Sequence, residues 1–442
     1  MNDRYIAAIE ISSSKIVAAI GKTQGNGKLE IIAVEHEKTV EGGVRYGIIQ
    51  NLEETSMSVA RLFSRLEQRQ AISPRKIKGV IVGLSGRSLK NITKEVSLNL
   101  PEDTEINEEI MQRLKEAAET SAIDNTLEVI DAVPRIYKVG TSETASPKGM
   151  IGNHISAIYD LIVCRPELKR NIKRTIEDKL RLNVQGFVVT AMATAHLMLT
   201  PEEKRLGCML VDMGSETTTV TIYQKGYLTY FATLPMGGRN ITRDLASLGI
   251  VDSKAEEIKL TAGNAIADSS NSSLNINGLK FTDISNLVVA RSEEIVANII
   301  EQLEYAGLKE TDIPGGIICI GGGFKLKGMR ELLQIHSDLP VKLGKLPEYV
   351  KIEDSRANNV ETMEVASVLY AGATLTDKES LETPERPPLP VNGVLPLEDV
   401  DDTIENTGPE EPDKPRNGIF EKLGKRIGNW FGGSIDDDTE LR

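Results

Sequence analysis

An α/β fold built twice over, followed by a flexible leash and a short amphipathic helix, is what this 442-residue sequence predicts. Three observations carry the prediction. A strand, a small polar turn and a returning strand open the chain and recur in its second half. Segments with helical apolar spacing separate the strand-rich stretches. After residue 376 the composition turns abruptly to proline and acid. The length exceeds one ordinary domain, so two major domains are expected.

Residues 4–11 read as a strand, Ser12, Ser13 and Ser14 as a tight polar turn, and residues 15–21 as the returning strand. The second copy has a strand at 208–213, a turn at Gly214-Ser215-Glu216-Thr217, a return at 218–223 and a third strand at 227–234 after Gly226. Two such copies imply a duplicated domain whose turns face each other. A third turn, Gly321-Gly322-Gly323, follows the apolar run 317–320 and opens towards a helix at 329–333. Apolar spacing predicts helices at 53–69, 107–121, 165–182, 285–306 and 359–375. Residues 84–163 are strand-rich with one helix and interrupt the first half as an inserted module. The organisation is therefore 1–83, the insertion 84–163, a second half 164–376 with a smaller subdomain at about 235–310, a leash at 377–417 and a terminal segment at 418–433.

The net charge of −13 argues against nucleic acid as a partner, because phosphate-backbone binding needs clustered Lys and Arg. Cys164, Cys208 and Cys319 sit in apolar runs without metal-ligand spacing and read as small buried hydrophobes in a reducing compartment. His36, His154, His196 and His336 are scattered and form no nucleophile or ligand pattern. The opening residues lead straight into a strand-like run without the pattern of a signal peptide, and no apolar run approaches the length of a membrane span, so any membrane contact is expected from the cytoplasmic side.

That contact is expected at the end of the chain. On a helical projection Ile419, Phe420, Leu423, Ile427, Trp430 and Phe431 share an arc of about 120°, with Lys422, Lys425, Arg426 and Asn429 opposite. Such a helix lies in the membrane interface, and Trp430 and the basic residues suit the headgroup level and anionic lipid. Eight prolines among many acids make 377–416 a disordered leash with a reach of roughly 35 Å.

Opposed hairpin turns with a triple-glycine turn present backbone N–H groups to phosphates from two sides. Asp212, at its strand end, has the position to hold magnesium through water. The motif order resembles the actin, sugar kinase and heat-shock chaperone superfamily, and within it the FtsA family of cell-division proteins. Residues 10–15 (Glu-Ile-Ser-Ser-Ser-Lys) are similar to its first phosphate loop, 211–219 to its second, and 320–323 with Leu326 and Gly328 to its adenosine loop. The segments 234–246 and 255–259 resemble its connecting segment and nucleoside-flanking helix. The resemblance implies an actin-like fold over about 4–375, with ATP and magnesium held by Ser12, Ser13, Ser14, Lys15, Asp212, Gly214, Ser215, Thr217, Gly238, Glu256, Lys259, Gly321, Gly322 and Gly323, and magnesium water-mediated near Glu10 and Asp212.

It further implies a scaffold that anchors FtsZ filaments to the inner face of the cell membrane at the division site. That scaffold binds the FtsZ C-terminal peptide, with Arg291 contacting it, assembles with itself, and recruits later division proteins through the insertion. Several positions depart from the family pattern: Glu10 for Asp, Ser12 for Gly, Ser215 and Glu216 for two glycines, and Thr219 for an acid. A carboxylate at 216 is expected to oppose polyphosphate unless it points away or is screened. With these carboxylates altered, the reading is an ATP-binding scaffold, not an enzyme. The rivals are a sugar-kinase phosphotransferase, which gives the terminal helix no use, and a pilus-assembly-type scaffold sharing the core.

Overall fold

Two sheets, each with helices packed against it, meet around a cleft. The computed structural model describes residues 4–23, 28–267, 274–354, 357 and 359–384. The expected membrane segment 418–433 and nearly all of the leash therefore lie outside the described residues.

The first sheet has six strands in the order Asn183–Val189, Gly79–Leu84, Arg4–Ile11, Lys15–Thr23, Leu29–Lys38 and Val350–Ile352. Arg4–Ile11, Lys15–Thr23 and Leu29–Lys38 form an antiparallel meander, and the other strands add in parallel. Successive residues of a strand point to opposite faces, and because helices cover both faces of this sheet its central strands are apolar throughout. Ala7, Ile9 and Ile11 join Val59, Leu62 and Leu66 of helix Leu52–Glu67 in one core. Ile6 and Ala8 point the other way, onto Val365, Val368 and Leu369 of helix Asn359–Leu375.

The second sheet has nine strands, in the order Ser142–Thr144, Glu128–Val139, Ile151–Cys164, Lys90–Glu105, Tyr227–Leu234, Thr218–Gln224, Cys208–Met213, Ile317–Ile320 and Val341–Leu343. The first four belong to the insertion, whose helix Glu108–Glu119 buries Ile110, Leu114 and Ala118 on its own sheet. The insertion interrupts the first half in sequence, yet its strands continue the sheet of the second half, through pairing of Lys90 with Ala232.

The buried Asp160 carboxylate anchors that junction. Arg135 donates to it from Nε (3.0 Å) and Nη2 (2.7 Å), and Asn91 Nδ2 and Thr93 Oγ1 each donate at 3.0 Å. Across the seam, Phe231 N–H donates to Asn91 Oδ1 at 3.2 Å. Arg135 Nη2 also reaches the Thr229 carbonyl at 3.4 Å.

Five predicted strands coincide with observed ones to within two residues at their ends, the apolar run 317–320 is a strand as well, and all five predicted helices are present, 165–182 as Pro166–Lys173 running into a π-helical turn to Lys179. Two boundaries are corrected. Residues 166–198 and 350–375, expected in the second half, pack on the first sheet: strand Asn183–Val189 pairs with Gly79–Leu84, and helix Asn359–Leu375 packs across Arg4–Ile11. The leash also begins later than 377. Leu381 pairs with Ile77 and is buried, and Ser380 N–H donates to the Tyr5 carbonyl, so the chain is bound to the body through Glu382. The three cysteines are buried free thiols. No helix among the described residues is long and apolar enough to cross a membrane.

Candidate functional site

The cleft encloses about 440 Å³ and is lined by both hairpin turns. It brings together Ser12, Ser13, Ser14 and Lys15, then Asp212, Gly214, Ser215 and Thr217, and finally Gly238, Glu256, Lys259, Gly322 and Gly323. Gly321 is the exception and sits behind the wall. Its φ is +90°, and an added Cβ would lie 2.5 Å from both Asp212 Oδ1 and the Met213 carbonyl. It is a packing glycine that lets the triple-glycine turn close on the Asp212 strand.

The first turn closes on itself: Ser12 N–H and Oγ both donate to the Lys15 carbonyl, at 3.0 and 2.8 Å. The Ser12 side chain thus folds back where a glycine was expected. The N–H groups of Ser13, Ser14, Ser215 and Glu216 donate to no acceptor among the described residues, which suits them to an anion. The second turn is braced by helix Gly238–Ala246, since Gly238 N–H donates to the Gly214 carbonyl at 3.0 Å and Arg239 N–H to the Ser215 carbonyl at 2.8 Å.

Glu10 is buried, and its two carboxylate oxygens accept from Ser85 Oγ and Thr190 Oγ1, each at 2.6 Å. Burial, then the nearby Glu364 carboxylate, push its pKa up to about 7. Asp212 is raised well above the usual carboxylate range by burial, then by Glu364 and Glu10. Lys15 Nζ lies 3.9 Å from Glu364. The longer Glu10 side chain fits because its parallel-strand partner is Gly83. A Cβ there would lie 1.9 Å from Glu10 Oε2 and 2.7 Å from Thr190 Oγ1. Gly83→Ala is expected to cost about 3 kcal/mol through overpacking. Urea unfolding checks this, and a loss under about 0.5 kcal/mol would mean the site relaxes freely.

The feared carboxylate at 216 both points away and is screened. Glu216 accepts from Tyr46 N–H at 2.9 Å and Arg243 Nη2 at 3.1 Å, with Arg45 Nε at 3.6 Å and Arg239 Nε at 3.9 Å. On helix Asp252–Ala262, Lys259 Nζ donates to the Gly238 carbonyl (3.1 Å), Thr242 Oγ1 (3.0 Å) and Glu256 Oε2 (2.7 Å), which holds the Lys259 and Glu256 side chains in place. Thr219, standing where an acid was expected, meets Thr233 Oγ1 at 3.2 Å. Arg291 is occupied within the fold: Nε and Nη2 donate to Asp244 at 2.5 and 3.1 Å, and Nη1 to Glu294. It ties helix Phe281–Tyr305 to helix Gly238–Ala246 and is no free cation.

Sequence reasoning missed Ser85, Gly83, Thr190, Glu361, Glu364, Lys325 and Lys327. Glu361 and Glu364 stand one turn apart on a predicted helix, a spacing that shows one shared face, but nothing local aimed that face at the cleft. Lys325 and Lys327 flank Leu326 of the adenosine-loop motif and line the cleft; Lys325 Nζ donates to Glu361 at 3.0 Å.

A cation fits this site only in part. Both Glu10 oxygens are taken by hydroxyls, whereas Asp212 accepts no hydrogen bond among the described residues and stands beside Glu364. Asp212 with Glu364 is thus the pair suited to a hydrated magnesium ion carried by a nucleotide.

Two α/β halves, matched hairpin turns and a cleft between them define an actin-like protein. Among solved structures, the chain is similar to a chain of the PilM-PilN type IV pilus biogenesis complex, with TM-score 0.59 at 17% identity over 83% of this chain and 98% of that one. The family model for cell division protein FtsA matches residues 209–369, and that for the SHS2 domain inserted in FtsA matches 86–163. Relatives named cell division protein FtsA include that of Porphyromonas gingivalis, 30% identical over 74% of this chain and 69% of its own length. Those of Pseudomonas aeruginosa (26%; 86% and 92%) and Bacillus subtilis (28%; 80% and 81%) are similar over still more of both chains. The chain belongs to the FtsA family of cell-division proteins.

Proposed function

We propose that within cell division this chain is a membrane-tethering scaffold with an ATP-responsive cleft. The body would bind the C-terminal peptide of FtsZ through the subdomain at 235–310, associate with further copies of itself, and recruit later division proteins through the insertion. The segment 418–433, with Ile419, Phe420, Leu423, Lys425, Arg426, Ile427, Trp430 and Phe431 as its contacts, would hold the assembly on anionic lipid at the inner face of the membrane. One such helix binds weakly and reversibly, whereas a filament carrying many binds firmly.

The observation that supports this reading best is the change of character at the end of the body. The chain is pinned by Leu381 on Ile77, after which the sequence is acidic and proline-rich until the basic amphipathic stretch. ATP would lie with its phosphates on the two serine-containing turns, its nucleoside by Glu256 and Lys259, and magnesium by Asp212 and Glu364. It would supply a charged ligand that bridges the two halves. Because Arg291 is engaged by Asp244, a peptide carboxylate there would have to displace an internal partner, so Arg291 is more useful as a positioning residue of the peptide surface.

Co-sedimentation with vesicles containing phosphatidylglycerol tests the tether, comparing the full chain with one ending at Pro384, which keeps the Leu381–Glu382 strand. The full chain is expected to pellet and the shorter one to stay in the supernatant, a drop in affinity of tenfold or more, equivalent to at least about 1.4 kcal/mol. Equal pelleting would refute the tether.

A further inference from the structure

Glu216 does more than avoid the cleft. Its side chain is only 1% exposed although it belongs to a phosphate-side turn of the second half, and its carboxylate crosses to the first half. There it holds the hairpin formed by Val44–Arg45 and Ile48–Ile49 by the N–H of Tyr46, a residue at φ +50°. A non-glycine residue in that conformation is kept there by its surroundings. The next residue, Gly47 at φ +85°, is pressed so closely that an added Cβ would lie 2.1 Å from the Ser85 carbonyl. The Tyr46 carbonyl accepts from Arg87 N–H at 3.2 Å, and the Arg87 guanidinium lies 4.8 Å from the Tyr46 ring centroid. Three residues later, at Lys90, the first strand of the inserted module begins and pairs with Ala232.

We propose that Glu216 is a positioning residue that couples polyphosphate in the cleft to the root of the inserted module. The proposal rests on the reading that the cleft binds ATP. The N–H groups of Ser215 and Glu216 would fix the turn on the phosphates, while the carboxylate of Glu216 fixes Tyr46, and through it Arg87. A buried carboxylate among Arg45, Arg239 and Arg243 has no low-energy half-way position, because leaving one partner strands a charge. The clasp is therefore either closed or broken, which is the property a coupling element needs. Arg239 also reaches Glu41 of the first half at 3.1 Å, so the same helix grips both sides of the joint.

Hydrogen–deuterium exchange of the full chain, with and without saturating magnesium ATP, tests the coupling. Exchange at 12–15 reports occupancy, and exchange at 44–49 and 86–91 reports the relay. In the unmodified protein ATP is expected to slow exchange in all three segments, by about fivefold or more in the relay. In Glu216→Ala, ATP is expected to slow 12–15 but leave 44–49 and 86–91 unchanged. Arg243→Met, at a more exposed position, is a second variant expected to weaken the same response should the first fail to fold. Slowing at 12–15 without slowing at 86–91 in the unmodified protein would overturn the coupling and leave ATP binding intact, as would a full relay response in both variants. No slowing at 12–15 would overturn the ATP reading and the coupling with it.

Discussion

Replacing Asp160 with alanine is expected to cost about 3–5 kcal/mol and to detach the inserted module from the second half before the rest of the body unfolds. The carboxylate is fully buried and takes four hydrogen bonds, from Arg135 twice, Asn91 and Thr93. Removing it leaves a guanidinium that is itself mostly buried without its counter-ion, and frees Asn91, whose amide oxygen receives Phe231 N–H across the seam. Asp160→Asn keeps the shape and loses the charge, so it should fall between the wild type and alanine. Exchange at 90–105 and 151–164, compared with 208–213, is the appropriate reading. Uniform destabilisation of all these strands would show that the module is not separately hinged at this point.

Glu10→Gln is expected to raise stability at pH 8 by about 3 kcal/mol, because the folded pKa of about 7 lies some 2.5 units above the ordinary 4.5 and each unit is about 1.4 kcal/mol. The sign follows from proton binding. Between pH 4.5 and 7 the folded state holds a proton that the unfolded state has released, so the wild type loses stability as pH rises through that window and carries the full penalty above it. Glutamine carries no charge and still meets the Ser85 and Thr190 hydroxyls, so the variant should match the wild type near pH 5 and exceed it at pH 8. Part of the slope should persist, since Asp212 is raised too and loses a like-charged neighbour. Denaturation without magnesium or nucleotide, at several pH values, decides this. Parallel curves for the two proteins would mean that Glu10 is ionised in the fold without penalty.

Glu10 and Asp160 differ in how far the sequence alone reveals them. Glu10 stood out as a departure from a motif, and the question it raised, how an extra methylene is housed, is answered by Gly83 on the neighbouring strand. Asp160 lies in a nearly continuous apolar run, 155–164, that shows a strand but gives no sign of a buried ion pair. Glu216 was expected to oppose phosphate unless it pointed away or was screened, and the approach of Arg45 from a hairpin of the first half and of Arg239 and Arg243 from one helix of the second supplies that screening. Arg291 shows the opposite case: the sequence presents a cation on an amphipathic helix, and only the fold places Asp244, on another helix, against it.

By itself the sequence determined what local physics governs. Apolar runs bounded by Ser-Ser-Ser, Gly-Ser-Glu-Thr and Gly-Gly-Gly specify strands and turns, and 3.6-residue spacing specifies the helices predicted at 53–69, 107–121 and 285–306. These signals are short-range and survive in a linear reading. Only the tertiary structure decided which half owns residues 166–198 and 350–375, that the inserted strands extend the second sheet, and where the charges of Glu216, Arg291 and Glu364 are spent. Those outcomes depend on contacts between segments far apart in the chain, and a buried charge takes its meaning from whichever partner the fold delivers to it.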